Sequence, residues 1–178
     1  MTTIAACRVG STYAIAADRQ WTANDEPRFS ATSKLRQVAP WLVLGMAGPA
    51  CLGSWLRSLT VDEAPASLDE AVTILDRLGD DLRAWSKDHD IDGAACLGVT
   101  PWGICMLHTR GDATLYTDVL HAIGSGAGYA IGAMHVMIHL ADQIRTVEHI
   151  AERAVTIAAR HDNGTGGPVD VLTIEAAP

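Results

Sequence analysis

The chain has 178 residues, enough for one domain with a sizeable core. Hydrophobic residues make up 48% and the formal net charge is −8, which excludes a disordered tail and argues against a partner held through nucleic-acid phosphates. The four cysteines, Cys7, Cys51, Cys96 and Cys105, form no CxxC pair, so neither a zinc ribbon nor a redox motif is indicated. They read as small buried hydrophobes in a reducing compartment, and the cytoplasm is the expected location. No signal peptide is expected before Thr2, and no apolar run approaches the roughly 18 residues of a membrane span.

Thr3 to Val9 and Tyr13 to Ala17 read as strands, with Gly10 and Ser11 between them marking a hairpin. A three-residue loop, Val9 to Ser11, is expected, and it places Thr2 opposite Asp18 on one face. A two-residue loop would move Asp18 to the other face. Arg19 to Thr32 is polar and contains Pro27, so it reads as loop with irregular strand. Ser33 to Val38 is a short strand carrying Lys34. Trp41 to Met46 is a continuous apolar run, a buried strand. Gly48-Pro49 opens a helix that reaches about Leu59.

Ser67-Leu68-Asp69-Glu70 matches a capping box. Leu68, Val72, Leu75, Leu78, Leu82 and Trp85 then follow a helical period, with an end near Lys87. Ala94 to Val99 and Ile104 to His108 pair around a Pro101-Trp102-Gly103 turn. Gly111-Asp112 turns into a strand at Ala113 to Tyr116. His121 to Gly124 is strand-like and runs into Ser125-Gly126, where a helix begins and continues to about Leu140. Thr146 caps another helix, Val147 to about His161. Asn163 to Pro168 is a tight loop, and Val169 to Glu175 is the last strand.

The strands meet through hairpins rather than βαβ crossovers. The expected fold is α+β: two antiparallel sheets stacked face to face between helix pairs, a four-layer αββα sandwich in a single domain, 1–178. The helix from Ser125 carries Met134, Val136, Met137, Ile138 and Leu140 almost without polar interruption. A helix apolar around much of its girth is buried on more than one side, so a neighbouring subunit is expected to cover it.

The chemistry centres on Thr2. Removal of Met1 is expected because the next residue is small. Thr2 would then carry a hydroxyl nucleophile and, on the adjacent carbon, an α-amine that titrates at about 7.7–8. With Met1 attached, that amine does not exist. Asp18 closes the second strand and Lys34 sits on the third. An ammonium against the Thr2 hydroxyl would stabilise developing alkoxide, and Asp18 would hold that ammonium charged and oriented. An ordinary buried ion pair is the competing explanation for these two residues. Gly48, at a helix N-terminus, offers a backbone N–H to an oxyanion.

Met1-Thr2-Thr3-Ile4, Ala17-Asp18, Ser33-Lys34, Met46-Ala47-Gly48, Ile123 to Gly126, and Asp162 with Thr165-Gly166-Gly167 occur in an order and spacing that resembles the proteasome-type N-terminal nucleophile hydrolases. These include proteasome β subunits, bacterial HslV and the HslV-like bacterial proteasome homologues. The resemblance spans essentially the whole chain. It implies the N-terminal nucleophile hydrolase fold and a threonine endopeptidase. It further implies that Ser125, Asp162 and Thr165 hydrogen-bond around the terminal amine. Many relatives have serine where this chain has Thr165. HslV itself commonly lacks the Gly-Gly that follows, so on that loop the chain looks more like a proteasome β subunit or another bacterial homologue.

By position, Thr22 and Ala50 would pair with the substrate backbone as an added strand. Met46 would floor the pocket for the residue before the cleaved bond, with Trp21, Thr32 and Arg36 around it. The implied assembly is stacked homo-oligomeric rings, to which an ATPase ring can feed unfolded protein or peptide. No cofactor is expected, and a structural cation at Gly166-Gly167 is left open. Two alternatives compete: a non-catalytic or N-terminally blocked structural ring subunit, and an amidase of the wider nucleophile class acting on a small molecule.

Two further patterns carry less. Gly124 to Gly128 resembles a dinucleotide fingerprint, but Tyr129 stands where the third glycine is needed. His135 and His139 lie four apart, near His121 in sequence, yet the glutamate of HExxH is missing, so packing or interface roles are expected.

Overall fold

A computed structural model describes residues 2–23, 26–139 and 146–177; Met1 and Leu140 lie outside these. Strands β1 (Thr3–Val9) and β2 (Thr12–Asp18) form a hairpin, flanked by β10 (Leu120–Gly124) and β11 (Val169–Glu175) in the order β10-β1-β2-β11. The second sheet runs β5-β6-β7-β8-β9, from β5 (Leu35–Ala39) and β6 (Leu42–Ala47) through β7 (Ala95–Thr100) and β8 (Gly103–His108) to β9 (Ala113–Tyr116). All these pairings are antiparallel.

Side-chain alternation builds the layers. Ile4, Ala6, Ile15 and Ala17 meet Leu35, Val43, Leu97 and Val99 between the sheets. Ala5, Ala14 and Ala16 point the other way, onto α3 (Ala127–His139) and α4 (Val147–Ala158). There they meet Ala130, Ala151, Ala154 and Ala158, so the alanine-rich composition lets helix and sheet backbones approach closely. Leu42, Leu44 and Met46 face α1 (Leu52–Ser58) and α2 (Leu68–Asp88). The result is the expected αββα sandwich. No helix among the described residues is long and apolar enough to cross a membrane.

Several local expectations change. The hairpin loop is the two residues Gly10-Ser11: Val9 pairs with Thr12, and Ile4 with Ala17. Gly10 takes φ +61°, the conformation that two-residue primed turns require. Thr3, not Thr2, therefore lies level with Asp18. The loop with irregular strand expected from Arg19 to Thr32 resolves into an antiparallel ribbon, β3 (Gln20–Ala23) with β4 (Glu26–Phe29), where Pro27 is tolerated on a two-stranded edge. Lys34 stands in a bend just before β5 rather than within it, although its carbonyl still accepts from Met46 N at 3.2 Å.

The helix expected from Gly48-Pro49 begins only at Leu52. Tight turns intervene, Leu52 N to Pro49 O at 3.0 Å and Gly53 N to Ala50 O at 3.1 Å, and Cys51 supplies no side-chain cap. On α2, Ser67 accepts from Glu70 N and the Glu70 carboxylate reaches Ala66 N at 2.8 Å, one residue earlier than a standard box. The buried stripe is Ala71, Ile74, Leu75, Leu78 and Leu82, whereas Leu68 in the first turn and Val72 at the stripe's edge are exposed. On α3, Ala130, Met134 and Met137 are buried, but Val136 is 58% exposed in the single chain. Helix α4 stops at Ala158, short of His161.

One ion pair ties the first sheet to the segment before Lys34. Arg19 Nε and Nη2 donate to the two Asp170 carboxylate oxygens at 2.8 and 2.5 Å, and Nη1 donates to Ala31 O at 3.1 Å. The Arg19 hydrogen bond holds the Asp170 carboxyl below the usual carboxylate range, against a smaller upward push from burial. The unfolded chain therefore takes up this proton first as pH falls. The stability conferred is whole above about pH 4 and is lost below it. Asp170→Asn should lower Tm by about 2 °C at pH 7, and the difference from wild type should close below about pH 4 in thermal melts.

Candidate active site

Lys34 is fully buried, and its ammonium has three protons to place. Nζ donates to Thr2 Oγ1, to Asp18 Oδ1 and Oδ2 at 3.0 and 3.1 Å, and to Gln20 O at 2.5 Å. The Trp21 ring lies 5.2 Å from Nζ. Burial pushes the Lys34 pKa down, and the Asp18 carboxylate recovers part of that loss, leaving it below the usual lysine range. Asp18 is equally well held: its oxygens accept from Thr3 N and Gln20 N at 2.9 Å each, and from Gly166 N at 3.3 Å.

Thr2, Lys34 and Asp18 thus converge although the hairpin register differs from the expected one. Asp18 is the last residue of β2, so its carboxylate is not confined to one sheet face. It lies beside the start of β1, where the Thr3 N–H finds it. Lys34 reaches that point from the bend before β5 and spans the distance to Thr2.

A second network surrounds the start of the chain. Ser125 Oγ lies 2.7 Å from Asp162 Oδ2 and 3.4 Å from Thr2 O. Thr165 Oγ1 donates to Asp162 Oδ2 at 2.5 Å, which leaves its oxygen to accept the Thr3 hydroxyl at 2.6 Å. Burial raises the Asp162 carboxyl, but hydrogen bonds from Thr165, Ser125 and the Gly164 backbone outweigh it and hold the group below its ordinary value. Gly124 takes φ +95°, and any Cβ there would collide with the Thr2 carbonyl, so only glycine lets β10 lie this close.

Thr2 opens into a cleft of about 260 Å³ lined by Ala47, Gly48, Gly93, Ala95, Ile123 and Ser125. Gly48 has φ +153° and a Cβ on it would stand 2.7 Å from Ala94 Cβ, so its backbone is pressed into the cleft wall. It does not stand at a helix N-terminus. The first N–H groups of α1 are already bonded to Pro49, Ala50 and Cys51 carbonyls. A donor role for Gly48 rests on its own N–H, without a helix dipole.

The residues expected to bind substrate are not in this cleft. Met46 is buried against α1, close to Gly53. Arg36 Nη1 donates to Leu56 O at 2.8 Å, so its guanidinium is engaged at the end of that helix. Trp21 is half-buried over Lys34. Thr22 lies opposite Pro27, and its buried Oγ1 has no partner among the described residues. Ala50 and Thr32 are exposed, the latter bonded to Ser30 Oγ at 2.8 Å.

Three site residues are assigned no role from the sequence. Gln20 uses its carbonyl on Lys34, its N–H on Asp18, and its Nε2 on Asn163 O at 2.6 Å. Thr3 bonds both Asp18 and Thr165. Gly124 falls within the Ile123 to Gly126 stretch, but its close approach to the Thr2 carbonyl is not marked there. Among the described residues no group of three or more His, Cys, Asp or Glu converges as a metal site.

No protein-family model matches the sequence, and no curated protein matches it. Solved structures do. The chain superposes on Thiobacillus denitrificans BPH with a TM-score of 0.81 at 23% identity, covering 99% of each chain. The same protein in complex with epoxomicin gives 0.80 at 24% identity, covering 99% of this chain and 100% of that one. Eukaryotic HslV from Trypanosoma brucei gives 0.74 at 23% identity, covering 97% and 99%. The chain therefore has the fold of the proteasome-type peptidases BPH and HslV over nearly its whole length.

The geometry makes Asp18 the group that keeps Lys34 charged. Asp18→Asn removes the attraction and leaves desolvation, so the Lys34 pKa should fall further, by about tenfold or more in proton affinity. NMR titration of the Lys34 side chain checks this; an unmoved pKa would show that another group holds the charge.

Proposed function

We propose that this protein is a threonine-type endopeptidase whose nucleophile is Thr2 after loss of Met1. The observation that carries this reading is the buried Lys34 ammonium, bonded at once to the Thr2 hydroxyl and to Asp18. Thr2 Oγ attacks a peptide carbonyl carbon while the Thr2 α-amine takes the hydroxyl proton. The carbonyl π electrons move to oxygen, and the Gly48 N–H stabilises the oxyanion. Collapse of the tetrahedral adduct breaks the C–N bond, and the leaving amine takes the proton back. Water, deprotonated by the same amine, then attacks the ester and restores Thr2. Lys34 keeps positive charge beside the oxygen through both steps. Ser125, Asp162 and Thr165 orient the start of the chain.

Intact mass of purified protein should show loss of Met1. Wild type should cleave fluorogenic peptides and gain the mass of epoxomicin, the compound in one BPH structure. Thr2→Ala should lose both properties while keeping its fold and assembly, at a melting temperature lowered by the Lys34 partner it removes. Cleavage by that variant at near-wild-type rate would refute the assignment.

The proposal extends to assembly. Tyr129 and Val136 are 50% and 58% exposed on α3, an apolar surface that a second copy of the chain would cover. Closed, stacked homo-oligomeric rings would place Thr2 inside a chamber, with an ATPase ring supplying unfolded protein. Light scattering at micromolar concentration should give a mass many times that of the chain. A monomer would instead favour an amidase acting on small molecules.

A further inference from the structure

A second and larger cleft, of about 670 Å³, is lined by Asp92 to Ala95, His108 to Arg110 and Asp112. It shares Gly93 and Ala95 with the cleft at Thr2. Ala95 and His108 are register partners, so their side chains stand on the same sheet face. Ala95 shares the first cleft with Thr2 and Ala47, and His108 therefore continues that same face. The two clefts form one groove.

The topology gives the groove a direction. The β5–β9 sheet presents one set of strand ends in spatial order: Lys34 before β5, Gly48 after β6, Gly93 before β7, Thr109 after β8 and Asp112 before β9. The groove runs across these ends. Neighbouring strands lie about 4.8 Å apart, so the stretch from β6 to β9 covers about 14 Å, or roughly four residues of extended peptide. Gly48 and Thr2 stand where the reacting carbonyl sits. Of the residues read as contacts for the acyl half, Arg36 lies on β5 and Thr22 on β3, whose Gln20 carbonyl meets Lys34 at the β5 end of this order. Arg36 and Met46 themselves face α1 rather than the groove. The larger cleft lies on the other side.

We propose that this cleft binds the peptide segment on the leaving-amine side of the cleaved bond, and that it selects a basic side chain there. The inference rests on the peptidase reading above. Asp92 and Asp112 contribute carboxylates, and Arg110 contributes the opposing cation; all three are exposed. None of them forms an ion pair among the described residues. His108, half-buried, lines the same cleft. The balance is one excess negative charge in a concave site, which attracts lysine or arginine and repels glutamate.

Two substrate types separate the halves of the groove. A peptidyl aminocoumarin amide fills only the acyl side. An internally quenched peptide with the same acyl sequence continues past the cleaved bond with either Lys or Glu at the second and third positions. Each rate is normalised to that of the amide. Wild type should favour the Lys peptide in kcat/KM by about three- to tenfold at low salt, fading at high salt as exposed charges are screened. Asp92→Lys with Asp112→Lys should reverse the preference, and Arg110→Glu should increase it. Equal treatment of the two peptides by wild type, or a preference that neither variant moves, overturns the inference while leaving the peptidase reading intact. Failure of processed wild type to cleave any of the three substrates overturns the peptidase reading, and this inference with it.

Discussion

The structure depends on a charge placed where water cannot reach it. Taking the Lys34 ammonium out of solvent is strongly unfavourable, and its attraction to Asp18 compensates only if every remaining polar position is met. Here each one is. The ammonium divides its protons among Thr2, Asp18 and Gln20 O, while Asp18 accepts from Thr3, Gln20 and Gly166 N–H groups. These partners come from the chain start, the end of β2, the start of β3 and the loop before β11. Removing either charge alone would strand the other, at about 3–5 kcal/mol. The pair thus fixes the relative positions of four separate pieces of chain, and Thr2 is fixed with them.

Close approach is the second constraint. Gly124 lies against the Thr2 carbonyl, Gly126 against the Thr3 hydroxyl, and Gly48 against Ala94. Each position has backbone where a side chain would otherwise stand. The same economy appears in the alanines between the first sheet and its helices. Small residues let elements close to short distances, and the polar groups at the chain start then fall within hydrogen-bond range. Packing and chemistry use the same residues.

Much of this was legible in the sequence. Strands β1 and β11 and the Thr146 cap fall where local pattern places them, because alternation, turn residues and caps are local signals. Register was not. Val9 suits a strand end or a loop equally, and only the folded hairpin decides between them. The β3–β4 ribbon was legible only as irregular strand, because its pairing depends on contacts elsewhere. Leu68 and Val72 show that a hydrophobic period marks a helix without locating the sheet beneath it. For the site, Thr2, Asp18, Lys34, Ser125, Asp162 and Thr165 do meet. Gln20 acts mainly through its backbone, and a backbone carbonyl leaves no mark in residue identity.

The placement of the site follows from the layers. In an αββα sandwich each sheet has one face on its partner and one under helices, so the faces are spent on packing. The strand ends remain. There the backbone stops pairing in the ladder, and a side chain such as that of Asp18 escapes the alternation that confines its neighbours. Groups from different strands can then converge on a point that no single face could hold. Ending several strands of one sheet at a common edge also produces a groove perpendicular to them, with a spacing set by the sheet itself. A chain extended across that groove meets one strand end roughly every residue and a half, given about 4.8 Å between strands and about 3.3 Å per extended residue. The architecture that forces Lys34 and Asp18 together therefore also prepares a linear track on either side of Thr2, and a linear track suits an extended peptide better than a compact small molecule.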